Sequence, residues 1–254
     1  MISASVGHQC PECVAEGNKS VRQARTQFGG AISTSSPGLV TRILIGLNVA
    51  IFLVQQLVGD KVTDHYALFP IAIAHGQYYR LITAGFLHAS FFHILFNMAA
   101  LWFLGTPLEG LVGRARYLLI YGLALLGGSV ASFCFSPVNT LGVGASGAIF
   151  GLMGAFAVVA WRQKWDLRPF AVLIGINFVY GFLVPNVDWR AHLGGLVVGA
   201  IVGAAIVVPS RERRRVVLAA TSVAVLVVLA AMTIWRVNDL QPLVQQYLQL
   251  YRLP

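Results

Sequence analysis

The longest uncharged block of this sequence runs from Tyr117 to Trp161, 45 residues without a Lys, Arg, Asp or Glu. One helical crossing of a lipid bilayer takes about 20 apolar residues, so this block is long enough for two. The rest of the chain is similar, since 57% of its residues are hydrophobic and only 11% are charged, against about a quarter in soluble proteins. The sequence therefore predicts a membrane protein that crosses the bilayer several times.

Charged residues and one turn mark the ends of seven apolar blocks. The turn Ser136–Asn139 divides the longest block in two. The predicted spans are Ile43–Gly59 with a start as early as Pro37, a segment from about Ser90 to Leu108, 117–135, 140–161, Pro169–Val187, Ala191–Val208 and Val216–Trp235. We expect an all-α membrane protein, with a cytoplasmic arm at 1–38, a six-helix core at 39–208, and a basic loop, seventh helix and short outer tail at 209–254.

The distribution of Lys and Arg predicts that the N-terminus is cytoplasmic. With that orientation, thirteen of the 18 basic residues fall in inner segments and five in outer ones, as the positive-inside rule requires. The basic cluster Arg211–Arg215 is then a topology anchor, and no nucleic-acid partner is expected despite the net charge of +9. The outer connection from Asp60 to Ser90 is rich in aromatic residues, which favours a position in the membrane interface.

Polar side chains on three predicted spans fall at one depth, near the outer surface. His93 and Asn97 lie four residues apart on one face of the second span, and His88 precedes it. Ser146 is about six residues into the fourth predicted span, and His192 is in the first turn of the sixth. A membrane Ser or Asn commonly serves helix packing alone, whereas an intramembrane His is a functional candidate.

Glycines repeat on two of these spans. Gly147 and Gly151 are four residues apart on the fourth, and Gly195, Gly199 and Gly203 have the same spacing on the sixth. Small residues at this spacing let two helix backbones approach closely. If the two glycine faces meet, Ser146 and His192 come within hydrogen-bonding reach.

Three motifs in this order resemble those of the rhomboid intramembrane serine proteases. They are HASFFHILFN at 88–97, GASGAIFG at 144–151 and AHLGGLVVGA at 191–200, and YYRL at 78–81 is similar to a Trp-Arg element of the family's first loop. The resemblance covers about residues 39–208. It implies a six-helix catalytic core, and the seventh span matches a six-plus-one subgroup of the family.

The resemblance also implies roles for individual residues. Ser146 would be the nucleophile and His192 the general base, with His93, Asn97 and the Ser146 N–H holding the oxyanion. Asp188 is interpreted as a helix N-cap rather than an acidic third member. Where the family often has Tyr, this chain has Phe150, whose ring can still stack on the imidazole. The residues expected to support the site are Gly144, Gly147, Phe150, His88 and Gly195.

The implied function is cleavage of single-span membrane proteins in the cell membrane, near its outer face. Because hydrolysis needs water, we expect a hydrated cavity open to the outside, and no cofactor. Two alternatives stay open at this point: a catalytically inactive relative that binds membrane proteins as a chaperone, and a transporter. The oligomeric state cannot be derived from the sequence.

The N-terminal arm contains a short metal-knuckle motif. Cys10 and Cys13 have the spacing of zinc ligands and His8 is nearby, so the arm resembles the second half of a zinc ribbon. A structural zinc site needs four ligands, and these residues supply three at most. Zinc binding here would therefore require a fourth ligand from elsewhere, and residues 14–38 are interpreted as a flexible linker.

Overall fold

Helices make up nearly all of the regular structure of this chain. The computed structural model describes residues 2–3, 7–20, 25–30, 37–183 and 187–251. Within these residues the only strands are β1 (Ile2–Ser3) and β2 (His8–Gln9), which pair antiparallel. The helices are α1 (Pro11–Ser20), α2 (Leu39–Val58), α3 (Asp60–Tyr66), α4 (Pro70–Ala74), α5 (Arg80–Thr83), α6 (Phe91–Ala100), α7 (Thr106–Val112), α8 (Arg114–Phe135), α9 (Ser146–Arg162), α10 (Arg168–Leu183), α11 (Trp189–Val207) and α12 (Arg214–Tyr251).

Five helical segments of the described chain are long and apolar enough to cross a membrane. They are α2, the continuous segment Phe91–Val112, α8, α11 and the part of α12 from Arg214 to Tyr247. The helices α9 and α10 are apolar but shorter, with 17 and 16 residues. The predicted all-α membrane bundle is confirmed, while the count of seven complete crossings stays a prediction.

The fourth apolar block differs most from its prediction. Its helix does not begin at residue 140 with Ser146 six residues inside, because α9 begins at Ser146 itself. Gly142 instead pairs with Leu68 through two backbone hydrogen bonds of 2.9 Å. Gly144 adopts a φ of +130°, which no helical residue can have. Ser146 is therefore placed at the N-terminus of its helix.

The second apolar block continues past its predicted end at Leu108. A π-helical turn at Leu101–Gly105 joins α6 to α7, and α7 carries Glu109. The Glu109 side chain is buried and accepts hydrogen bonds from the N–H groups of Val40 (3.1 Å) and Thr41 (2.9 Å). It caps the N-terminus of α2, whose first N–H groups have no partner within their own helix.

The helices α9 and α11 form the most extensive helix pair of the bundle. Gly195 lies against the backbone of Gly147, and Gly199 lies against the backbone of Gly151, so that neither has room for a side chain. The predicted meeting of the two glycine faces is confirmed. Close backbone approach is the usual role of small residues in membrane helices.

The connection between α2 and α6, predicted to lie on the outer side and called the outer connection, is folded into short helices. It contains α3, α4, α5 and a 3₁₀ turn at Ala84–Phe86. The Arg80 side chain is buried within it and donates to the Ala67 carbonyl (2.8 Å) and to Gln77 Oε1 (2.7 Å). These contacts give the segment a fixed shape, and its depth in the membrane interface stays a prediction.

The last helix extends well beyond its predicted end at Trp235. It continues through Tyr251, so the predicted short outer tail is helical over its described length. Leu240 and Val244 are each 1% exposed in the part of α12 that contacts α4. Gln241 Nε2 also donates to the Ala74 carbonyl at 3.3 Å. Packing on the outer connection explains why the helix continues past the apolar block.

The N-terminal arm is not a uniformly flexible linker. Part of it is the helix α1, and residues 25–30 form a turn that packs on the bundle. Phe28 is 3% exposed, and its carbonyl accepts a hydrogen bond from Arg116 Nη1 at 2.6 Å. Gln163 Nε2 donates to Gln27 Oε1 at 2.6 Å. The linker interpretation is therefore wrong for these segments, and residues 21–24 and 31–36 lie outside the described chain.

The glycine packing can be tested by adding one methyl group. Gly199→Ala should lower the free energy of unfolding by about 1–3 kcal/mol, because the added Cβ would overlap the Gly151 backbone. Gly175→Ala in α10 is the matched control, since its Cβ would contact nothing within 4 Å. That control should be neutral or stabilising by about 0.5–1 kcal/mol. Thermal unfolding in detergent micelles measures both, and equal effects would contradict the packing described.

Candidate active site

The hydroxyl of Ser146 lies next to the imidazole of His192. Ser146 Oγ is 2.9 Å from His192 Nε2, which joins the first residue of α9 to the first turn of α11. Among the described residues, His192 Nδ1 has no hydrogen-bond partner. In the tautomer that carries its proton on Nδ1, Nε2 accepts the serine hydroxyl hydrogen. This is the arrangement of a nucleophile and its general base.

The His192 ring is held by stacking on an aromatic side chain. The ring centroids of Phe150 and His192 are 4.1 Å apart and their planes differ by 8°. Phe178 of α10 packs edge-on against Phe150, at a centroid distance of 5.5 Å. The ring of Phe150 therefore stacks as the sequence predicted. The imidazole is oriented by packing and by its bond to Ser146.

Asp188 caps α11 and does not hydrogen-bond to the His192 side chain. Its carboxylate accepts from the N–H groups of Arg190 (3.1 Å) and Ala191 (3.3 Å). Ser132 Oγ of α8 donates to the same carboxylate. The predicted N-cap role is confirmed, and Ser132 is a partner that the sequence did not reveal. Together they fix the start of α11, and with it the height of His192.

A glycine with an unusual backbone conformation lies beside Ser146. Gly144 donates its N–H to the Ala84 carbonyl (3.0 Å), which anchors it to the outer connection. A Cβ added to Gly144 would be 2.9 Å from His93 Nε2 and 3.7 Å from Ser146 Oγ. The missing side chain therefore leaves space between the serine and the histidine of α6.

His93 presents a ring N–H to that space. Its Nδ1 is 3.3 Å from the backbone N–H of Ala89 and accepts from it. A neutral imidazole whose Nδ1 accepts carries its proton on Nε2. Ser90 caps α6 by accepting from the His93 N–H at 3.2 Å, which fixes the helix start. The direction of the His93 Nε2–H is therefore set by the contacts of His93 with Ala89 and Ser90.

Asn97 lies one turn deeper on the same helix. Its Nδ2 donates to the His93 carbonyl at 2.8 Å, and the side chain is 7% exposed. No hydrogen bond among the described residues joins Asn97 to Ser146 or His192. One of its two amide hydrogens is used by the helix backbone, and the other is available to a ligand.

The N-terminus of α9 adds backbone donors at the serine. Its N-cap residue is Ala145, which supplies no side-chain hydrogen bond. The first N–H groups of a helix have no partner within the helix, and the helix dipole is positive there. A negative charge that develops beside Ser146 would meet these groups. Nucleophile, base and donors together suit the attack of a hydroxyl on a carbonyl.

His88, just before the start of α6, packs against the His93 ring. Its ring is 2% exposed and packs edge-on against the His93 ring, with centroids 5.1 Å apart. Gln55 of α2 holds the His88 backbone, accepting from its N–H (3.0 Å) and donating to its carbonyl (3.3 Å). Gln55 was not predicted as a site residue from the sequence. Its polar side chain within an apolar span is the signal that could have found it.

The candidate metal ligands of the N-terminal arm are only partly described. Cys10 and Cys13 are joined by a disulfide bond, and the side chain of His8 lies outside the described residues. No group of three or more His, Cys, Asp or Glu residues in the described chain is placed to hold a metal ion. Zinc binding by this arm stays a prediction.

Comparisons with known proteins place the sequence in a family. A family model described as Rhomboid domain matches residues 75–209, a range that includes His93, Asn97, Ser146 and His192. Rhomboid protease GluP of Bacillus subtilis is 37% identical over 201 residues, which are 75% of this chain and 39% of GluP. Putative rhomboid protease YdcA of the same organism is 31% identical over 183 residues, 69% of this chain and 92% of YdcA.

A plant protein is also similar to this chain. RHOMBOID-like protein 1 of Arabidopsis thaliana is 41% identical over 135 residues, which are 50% of this chain and 34% of that protein. This chain thus spans well under half the length of GluP and of the plant relative. These relatives favour neither the inactive chaperone nor the transporter.

Two substitutions at Asp188 test whether its carboxylate stabilises the fold as a hydrogen-bond acceptor or through its charge. Asp188→Ala should lower the free energy of unfolding by about 1–2 kcal/mol, since the cap and the bond to Ser132 are both lost. Asp188→Asn keeps an acceptor oxygen and should retain most of the stability. Thermal unfolding in micelles measures the difference. An Asn variant as unstable as the Ala variant would show that the charge itself is required.

The burial of His88 should make stability depend on pH. His88 precedes the membrane-spanning segment that starts at Phe91, and burial, followed by the nearby His93, lowers its pKa from 6.5 to about 3. The folded state keeps the neutral ring, whereas the unfolded chain takes up a proton below pH 6.5. The stabilisation is complete above pH 6.5 and is lost as the pH falls toward 3, by about 1.4 kcal/mol per pH unit.

Unfolding of the wild type at pH 7 and pH 5 measures this loss. His88→Asn should reduce the difference between the two pH values, whatever its effect on absolute stability. His65→Asn, at an exposed histidine, should leave the difference unchanged. An unchanged pH dependence in the His88 variant would contradict the expected cost of protonating the buried ring.

Proposed function

This chain belongs to the rhomboid family, and we propose that it is an intramembrane serine endopeptidase that uses Ser146 and His192 as a catalytic dyad. The observation that carries the proposal is the 2.9 Å separation of Ser146 Oγ and His192 Nε2. The stack of His192 on Phe150 supports it, because a general base must be held in one orientation. An inactive relative would not need this pair.

The proposed reaction follows from the two side chains. Ser146 Oγ attacks the carbonyl carbon of the substrate peptide bond while His192 Nε2 takes the hydroxyl proton. The tetrahedral intermediate collapses when His192 gives that proton to the leaving amine, and an acyl ester on Ser146 remains. A water molecule, deprotonated by His192, then attacks the ester and restores the serine. Only a peptide and water are consumed, so the proposed reaction needs no cofactor.

The oxyanion of the intermediate would be held by three groups around Ser146. They are the Nε2–H of His93, the amide of Asn97 and the backbone N–H of Ser146 at the uncapped start of α9. Support comes from the Ala89 hydrogen bond that fixes the His93 tautomer and from the absence of a side-chain cap at Ala145. Removal of one such donor typically slows acyl transfer by about 10²–10³.

The substrates we propose are single-span membrane proteins. A helix hides its carbonyl groups in backbone hydrogen bonds, so the substrate segment must unwind before Ser146 can attack it. Residues that weaken helices, such as Gly, Pro or β-branched residues, should therefore occur near the cleaved bond. Ser146 and His93 are half-buried rather than sealed in the core, which suits entry of an extended peptide together with water.

We place the site near the outer face of the cell membrane, with the N-terminus in the cytoplasm. The support is the excess of Lys and Arg in the segments at the opposite end of the bundle from Ser146. Cleavage at that depth would release the outer part of a single-span protein. The substrate would thus reach the site by diffusion within the lipid bilayer that surrounds both proteins.

Labelling with a fluorophosphonate tests the dyad directly. The wild-type protein in micelles should be labelled, because the reagent reacts with activated serine hydroxyls. Ser146→Ala should abolish labelling and His192→Ala should lower it by at least about 10³. Ser129→Ala is the matched control, since Ser129 is a buried serine of α8 outside the site.

A cleavage assay completes the test. The wild type, reconstituted with a panel of single-span proteins, should cut at least one of them within its membrane segment, and Ser146→Ala should cut none. Wild-type labelling no stronger than that of Ser146→Ala would refute the dyad. Labelling without cleavage of any panel member would refute the proposed substrate class while leaving the dyad in place.

A further inference from the structure

Several arginines converge at the end of the bundle farthest from Ser146. A Cβ added to Gly29 would lie 3.5 Å from each of three guanidinium nitrogens, two of Arg116 and one of Arg214. Arg116 also interacts electrostatically with Arg215 and with Arg25. Three separate parts of the chain, the arm, the start of α8 and the start of α12, thus bring like charges together. We call Arg25, Arg116, Arg214 and Arg215 the arginine cluster.

The arginine cluster has no acidic counterpart in the described chain. The two ion pairs found there are Arg114 with Glu109 and Arg236 with Asp239, and neither involves the cluster. The partners that the protein does supply are carbonyl groups: Phe28 O for Arg116 (2.6 Å), Pro209 O for Arg214 (3.3 Å) and Gly29 O for Arg25 (3.5 Å). Carbonyl dipoles orient the guanidinium groups but leave their charges uncompensated.

The lack of a compensating negative charge is most costly for Arg214. Its side chain is 8% exposed, and its Nε has no hydrogen-bond partner among the described residues. A buried charge without a counter-ion is costly, and so is a buried donor without an acceptor. The adjacent Arg213 is exposed, so the burial of Arg214 reflects this particular position.

The position of the arginine cluster at the ends of two membrane spans indicates the source of an anion. Arg116 is the third residue of the span Arg114–Phe135, and Arg214 is the first of the span Arg214–Tyr247. Guanidinium groups at the first turn of apolar helices lie at the level of lipid headgroups. The planar fork of Arg suits the paired oxygens of a phosphate.

We propose that the arginine cluster is a binding site for a phosphate oxyanion, and that its source is the headgroup of an anionic phospholipid. The anion would accept from Arg214 and Arg116 and neutralise the repulsion between them. Because the turn at 25–30 packs on the same two arginines, the bound headgroup would also hold the N-terminal arm against the bundle. A soluble phosphate would satisfy the same donors.

Thermal unfolding of the full-length protein in neutral-detergent micelles tests this site. Three additives are titrated at constant ionic strength: phosphatidylglycerol, phosphatidylcholine and inorganic phosphate. Phosphatidylglycerol should raise the melting temperature of the wild type saturably, and phosphatidylcholine should not. In Arg214→Gln and in Arg25→Gln the midpoint of this titration should move to an at least about tenfold higher concentration, as expected for the loss of a charge-assisted hydrogen bond or a nearby positive charge.

Arg213→Gln is the matched control, because it removes the same charge from the exposed neighbouring position and should titrate like the wild type. Arg25 is exposed, so its variant keeps the test valid if Arg214→Gln does not fold. A saturable effect of inorganic phosphate that equals that of phosphatidylglycerol would support the oxyanion site and assign it to a soluble anion. Equal effects of the two lipids, equal losses in Arg213→Gln, or unchanged midpoints in every folded cluster variant would overturn the proposal.

Discussion

The contact of α9 with α11 at backbone distance is the constraint on which the site depends. Gly195 against Gly147 and Gly199 against Gly151 leave no space for side chains between the helices. A membrane offers little hydrophobic driving force for helix association, so close packing of this kind supplies much of the attraction. It also sets the distance between the first turns of the two helices. Ser146 and His192 meet because the glycines let the two backbones approach this closely.

Besides the distance between α9 and α11, the site requires that the two helices do not shift along their axes relative to each other. For α11 this is done by Asp188, which caps the helix and is bonded to Ser132 of α8. For α9 it is done by the bridge between Gly142 and Leu68 and by the bond from Gly144 to Ala84. The outer connection is therefore part of the framework of the site. The last helix continues along α4 of this connection, so it joins the same framework.

The opposite end of the bundle is organised by a different principle. There the N-terminal turn, α8 and α12 meet through Arg116, Arg214 and the carbonyl of Phe28. Glu109 caps α2. It also forms an ion pair with Arg114, at a distance of 3.8 Å. Carboxylates and carbonyls at this end accept from the backbone or orient the arginines. The molecule thus has one end built around neutral donors at Ser146 and another built around positive charge.

The sequence by itself determined the class of the fold, the approximate position of each apolar helix and the candidate residues. Uncharged length and residue spacing are local properties, and they suffice for these conclusions. Only the tertiary structure decided that α9 starts at Ser146, that Glu109 caps α2, that Asp188 is bonded to Ser132, that Gln55 holds His88 and that Phe28 is buried. Each of these depends on a partner distant in the chain, such as Leu68 for Gly142 or Val40 for Glu109. Hydrogen bonds between distant segments leave no periodic trace in a sequence, because the groups that form them are common backbone atoms and single polar side chains.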